Sequence, residues 1–150
     1  MLKLRPHHII DIIRDFGQNK EFVPHKYGHD YHTIAIKLTQ DINQLVKLVI
    51  SSDDICAPCM HLQADKKCND IMSNHPYSHS KQIYNNYLDG KIIGLLSLHD
   101  NTIISVKDYL HILAKKTEIF DNIYPHSKEI IEQRKADFKN GLILLGIVKK

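Results

Sequence analysis

"RPHHIIDIIRDFG", residues 5–17, reads as a helix with its start, its buried face and its end all marked. Pro6 suits the first helical position, where the missing N–H costs nothing. Ile9, Ile10, Ile12, Ile13 and Phe16 supply an apolar face, and Gly17 suits the end. Arg5, His7 and His8 then lie at the N-terminus of that helix. Outward from it, residues 21–50, "EFVPHKYGHDYHTIAIKLTQDINQLVKLVI", are mostly helical in pattern, with Tyr31, Ile34, Leu38, Ile42 and Leu45 at spacings of three and four. The β-rich end, "LVKLVIS", predicts a short strand. "HPYSHSKQIYNNYLDG", residues 75–90, predicts a helix closed by Gly90. "TIISVKDYLHILAKK", residues 102–116, has Ser105 as N-cap with Asp108 three residues on, then Val106, Tyr109, Leu110 and Leu113 as a face. A last helix from about Pro125 to Lys139 ends at "NG", followed by an apolar tail. The expected fold is mainly α: a single compact domain, residues 1–150, of about five helices, with one or two short strands and an irregular cysteine-bearing loop.

Composition narrows the function classes. At 150 residues and 43% hydrophobic content the chain can build one core, and no repeat or low-complexity linker divides it. Net charge is +3, and the basic runs are only pairs (Lys66-Lys67, Lys115-Lys116, Lys149-Lys150), a weak footprint for nucleic acid. The longest apolar stretch, "GLILLGIV", falls short of the ~20 residues of a membrane span. With no signal-peptide pattern, a cytoplasmic location is expected. There Cys-x-x-Cys is a metal-ligand or redox pair before it is a disulfide.

All three cysteines fall in residues 53–70, "DDICAPCMHLQADKKCND". The turn between Cys56 and Cys59 points both sulfurs inward, and Cys68 returns after a loop. Zinc takes such thiolates at ~2.3 Å, and iron–sulfur clusters take them on different irons. His61 is the nearest fourth ligand. Two other readings stand beside metal binding: three ordinary cysteines, and a Cys56–Cys59 redox pair, which lacks the βαβ context of thioredoxin-like proteins. Asp53 and Asp54 can hold the turn or orient a histidine, and Arg5 can pair with either. No Ser-His-Asp set, Gly-rich phosphate loop or H-E-x-x-H is present.

Eleven histidines are a large number for this length. His7 and His8 sit where a helix N-terminus favours the neutral, ligating form. His25, His29 and His32 fall near one helical face, but with Pro24 and Gly28 among them they read as a surface cluster. His75 and His79 read as helix start and surface, and His99, His111 and His126 have no partners by spacing.

"LRPHH" followed by "DDICAPC" and a further cysteine resembles the bacterial and archaeal domain-of-unknown-function family 1284 over roughly residues 1–115. "FV" at 22–23 and "GLLSLHDNTIISVKDYL" at 94–110 are similar as well. The resemblance implies an iron–sulfur cluster, 4Fe–4S in preference, on Cys56, Cys59 and Cys68. It also gives His7 or His8 a part in the site, as fourth ligand, hydrogen-bond donor to a sulfur, or proton donor. The chain departs from the family pattern in having Asp11 where a further cysteine often follows the histidines, and neither Cys nor Trp in its C-terminal segment. One chain therefore offers at most three thiolates, and the fourth position goes to a non-cysteine ligand or stays open.

Three readings follow: a cluster protein with an open or non-cysteine fourth position, enzymatic if that iron takes a substrate; a non-catalytic interaction module stapled by zinc on three cysteines and a histidine; and a metal-free thiol redox protein. A small molecule or a protein is the expected partner, and the apolar tail after Gly141 offers a surface for a homo-oligomer.

Overall fold

The computed structural model describes residues 1–72 and 80–150. The chain is mainly α, with about 49% of residues helical and one small three-stranded sheet. In order the elements are β1 (Leu2–Leu4), α1 (Pro6–Gly17), α2 (Tyr31–Gln40), β2 (Leu45–Leu48), α3 (Lys81–Leu95), β3 (Ile103–Ser105), α4 (Val106–Ala114), α5 (Phe120–Ile123) and α6 (Lys128–Leu144), with a 3₁₀ turn at Thr117–Ile119 before α5.

β2 is the central strand. β1 pairs parallel to it in the register Leu2↔Val46, Lys3↔Lys47, Leu4↔Leu48, and β3 pairs antiparallel, Val46 facing Ile104. The parallel β1–β2 step needs a crossover, which α1 and α2 supply. Leu4, Val46 and Leu48 point into the core that Ile9, Ile10, Ile12 and Ile13 of α1 complete. Ser105 caps α4 as its sequence implies, its Oγ accepting the Asp108 N–H at 3.0 Å.

α1 packs most extensively on α6, and two glycines let the backbones approach. A Cβ on Gly17 would stand 1.9 Å from the Asp137 carbonyl oxygen, and one on Gly141 2.1 Å from that of Ile13. Gly17 therefore closes α1 through packing, while Asn19, at φ 58°, supplies the left-handed turn after it. Gly141 does not end the last helix; α6 runs on to Leu144, and Leu142 and Ile147 of the apolar tail are buried in the chain's own core, with Leu144 exposed. Gly90 likewise lies inside α3, which Ser80 caps and which continues to Leu95. The expected helical start at residues 21–30 is instead irregular, and α2 begins at Tyr31.

Candidate metal centre

The site is organised by Arg5, the residue between β1 and α1. Its backbone N–H donates to Asp53 Oδ2 at 2.7 Å, its Nη1 donates to Asp89 Oδ2 at 2.8 Å, and its Nη2 to Asn86 Oδ1 at 3.0 Å. One residue thus ties the first helix to both the cysteine loop and α3. The guanidinium is almost wholly buried, and burial of this kind requires a partner. Asp89, fully buried in the middle of α3, is that partner.

Each of the paired histidines is held at Nδ1 by a different buried carboxylate. His7 Nδ1–H donates to Asp89 Oδ1 at 2.8 Å, and the His7 backbone N–H donates to the same oxygen at 2.9 Å. His8 Nδ1–H donates to Asp53 Oδ2 at 2.7 Å. A carboxylate acceptor puts the proton on Nδ1, so in the neutral ring Nε2 keeps a lone pair for a metal or a substrate proton. The two rings lie 4.4 Å apart, tilted by 51°.

Asp53 is saturated. Oδ2 takes Arg5 and His8, and Oδ1 takes the backbone N–H groups of Ile55 and Cys56 at 3.1 and 3.3 Å. Burial opposes its ionisation, but the His8 charge and the hydrogen bonds from His8, Arg5 and Cys56 outweigh burial and hold the carboxyl at about 2. Asp53 therefore both shapes the cysteine turn and orients His8. Asp54 turns away from the cavity, its Oδ2 accepting the Lys3 N–H at 2.8 Å. Burial would lower the pKa of His7, yet the charge of Asp89 and its hydrogen bond win and raise it above 6.5. Asp89 is correspondingly lowered: against burial act the His7 charge and hydrogen bond, then Arg5.

The cysteine loop turns at Asp53, whose carbonyl accepts the Cys56 and Ala57 N–H groups, each at 3.1 Å. Residues 27–30 brace it from outside: Met60 N–H donates to the Tyr27 carbonyl at 2.8 Å and Asp30 N–H to that of Ile55 at 2.9 Å. Cys68 is fixed by its own N–H, which donates to Gln82 Oε1 of α3 at 2.8 Å, and its Sγ accepts the Asp70 N–H at 3.4 Å. All three cysteines are free thiols. Burial and the charge of Asp53 push the Cys56 thiol up to about 12. Both a nucleophile and a metal ligand require the thiolate, so this shift does not separate the redox reading from the metal reading.

The three sulfurs border one cavity of about 200 Å³, together with His7, His8 and His61. Among the described residues, His8, Asp53 and Cys56 form a group whose ligand atoms lie within 4.8 Å of one another, and Cys59 and Cys68 stand outside it. His61 Nδ1–H donates to Asn69 Oδ1, 3.0 Å away, with its ring edge-on to Tyr27.

His25, His29 and His32 do not share a helical face, because their segment is irregular up to Tyr31. His29 instead reaches the cysteine cavity, and its buried Nδ1 has no hydrogen-bond partner among the described residues. Burial and the nearby His25 lower its pKa, which keeps it neutral. His25 lies stacked on His29 at 4.4 Å, outside the cysteine cavity. His75 and His79 fall outside the described residues.

Sequence reasoning overlooked Asp89, the anchor of both Arg5 and His7. Its signal was available: Asn85 and Asp89, four apart, share the buried face of α3 with Leu88 and Ile92. Polar groups on an apolar helical face are a sign of a buried network.

Residues 17–125 match the family model described as "Protein of unknown function (DUF1284)". The chain belongs to that family. The matched DUF1284 segment takes in all three cysteines, Asp53 and Asp89, and begins after Arg5–His8. Comparison with curated proteins and with solved structures finds no match. No helix among the described residues is long and apolar enough to cross a membrane.

The donor set suits a thiophilic metal centre: three free thiols, one histidine oriented by a carboxylate, and a second histidine nitrogen without a partner among the described residues, all on one cavity.

Proposed function

We propose that this protein binds an iron–sulfur cluster through Cys56, Cys59 and Cys68, with His8 at the fourth position. The observation that carries this reading is the convergence on one cavity of three free thiols and a histidine whose Nδ1 is fixed by the buried Asp53. Three cysteines on one cavity can serve a polynuclear group, whose thiolates sit on different irons.

When bound, such a cluster supplies electron transfer or, at an iron without a cysteine, Lewis acidity. The chain's own residues do the rest. Asp53 fixes the His8 tautomer and presents Nε2. Gln82 and the Asp70 N–H hold Cys68. Asp89 keeps His7 on the cavity wall, and its charge and hydrogen bond shift His7 toward the protonated form, a proton source for a bound molecule.

A zinc site is the second reading, because His8 and Cys56 already stand close enough to share one ion. Metal and sulfide analysis of anaerobically purified protein separates the two. Iron with inorganic sulfide and broad visible absorption supports the cluster. One zinc per chain in colourless protein supports the staple and removes the cluster.

A further inference from the structure

The chain has three arginines, and two of them are committed to carboxylates: Arg5 to Asp89 and Arg14 to Asp11, both at 2.8 Å. Arg134, on α6, forms no ion pair among the described residues, and residues 73–79 contain neither Asp nor Glu. It is half-buried and stacks over the ring of Tyr124, its guanidinium carbon 4.5 Å from the ring centre. Its buried Nε and the buried Tyr124 hydroxyl both lack a hydrogen-bond partner among the described residues. Tyr124 itself is only 7% exposed, and His126 stacks on it at 5.9 Å. A half-buried cation beside an unsatisfied hydroxyl donor is costly unless something anionic joins it.

The surroundings say where that anion would lie. Arg134, Tyr124, His126 and Lys81 border a groove of about 280 Å³. This groove and the cysteine cavity share His7, Asp11, Lys81 and Asn85 on their walls, so the two adjoin. A guanidinium held over an aromatic ring by one side keeps its N–H fork for bidentate contact with an oxyanion.

We propose that Arg134 is the anchor for a small oxyanion-bearing molecule, a carboxylate or a phosphate, whose remainder extends toward the cysteine cavity; Lys81, which lines the same groove and pairs with Asp70 at 3.4 Å, is a secondary contact. The anchor stands on the groove alone; the part of the ligand facing a metal rests on the cluster reading above. Asp11 also lines the groove, but Arg14 pairs with it at 2.8 Å and compensates its charge, so it does not bar an anion from Arg134.

The test is a titration of the full chain with acetate and, separately, inorganic phosphate at constant ionic strength, followed by amide NMR shifts. Iron and sulfide are assayed in the same samples. Saturable shifts around Lys81, Asn85 and Tyr124, without shifts around Ala136 and Leu142 on the other side of α6, are expected for at least one of the two anions, which also identifies the oxyanion class. Arg134→Gln should weaken that binding at least 10-fold with metal content unchanged, and Lys81→Gln should weaken it several-fold. Lys139→Gln should leave it as in wild type. Absence of saturable binding by both anions, or equal binding by folded Arg134→Gln, overturns the anchor. Loss of iron with binding retained overturns the cluster reading and leaves the anchor standing.

Discussion

His8 Nδ1 lies 2.7 Å from Asp53 Oδ2, and that carboxylate also receives the backbone N–H groups of Arg5, Ile55 and Cys56. A single side chain therefore sets the start of α1, the turn that carries Cys56, and the orientation of the histidine between them. Asp53→Asn keeps the shape but replaces a charged acceptor of four donors with an amide that has one acceptor oxygen. Metal affinity should fall 10–100-fold, the usual cost of losing such an orienting partner. Competition with a chelator, on samples whose helicity by circular dichroism matches wild type, measures it.

Asp89→Ala leaves the Arg5 guanidinium buried without its carboxylate and frees His7. Breaking a buried pair from one side costs about 3–5 kcal/mol. Urea denaturation should show a loss of unfolding free energy of that size. A loss under ~1 kcal/mol would mean that Arg5 escapes to solvent and does not organise the site.

The metal-free chain should show acid unfolding tied to Asp53. Its folded pKa of about 2 lies below the unfolded value of 3.8, so its contribution is present above 3.8 and is lost as pH falls toward 2. The loss is roughly 2 kcal/mol across that window. His7 acts in the opposite direction: its folded pKa is raised above 6.5, so its stabilisation is complete below 6.5 and declines as pH rises through the folded value. Stability of the apo chain against pH should therefore rise above pH 2 as Asp53 and Asp89 ionise and decline above 6.5, and Asp53→Asn should reduce the acid limb, leaving the part that Asp89 contributes.

Four glycines in or ending helices separate packing from propensity. A Cβ at Gly141 meets the Ile13 carbonyl at 2.1 Å, so Gly141→Ala should destabilise by about 1–3 kcal/mol. Gly17→Ala meets the Asp137 carbonyl and should behave likewise. Gly90 and Gly94 of α3 have nothing within 4 Å of a built Cβ, so their alanine variants should stabilise by about 0.5–1 kcal/mol. Thermal melts of the four variants check the contrast.

The same glycines show what was legible. Local signals were read correctly where local physics decides: the isoleucine face of α1, the strand in "LVKLVIS", and the Ser105 cap. Gly90 and Gly141 read as helix stops because a glycine after an apolar periodicity usually is one. At Gly141 the deciding contact is with Ile13, more than a hundred residues away in sequence and invisible to any window. β1 was missed for the same reason, since Leu2–Leu4 becomes a strand only by pairing with Val46–Leu48. At the site, the cysteines and paired histidines stood out by residue type and spacing. Asp89 did not, because Gly90 beside it suggested a helix end. His29 was set aside with a surface cluster, and only the brace of residues 27–30 on the cysteine loop brings it to the cavity.

The most direct test of the central claim is iron and inorganic sulfide content after anaerobic reconstitution, in wild type and in variants with Cys56, Cys59 or Cys68 replaced by Ser. Wild type should carry iron and sulfide in equal amounts, with broad visible absorption, and each cysteine variant should lose most of both. Protein that takes up zinc without sulfide, or that holds its iron and sulfide after all three cysteines are replaced, would contradict the account.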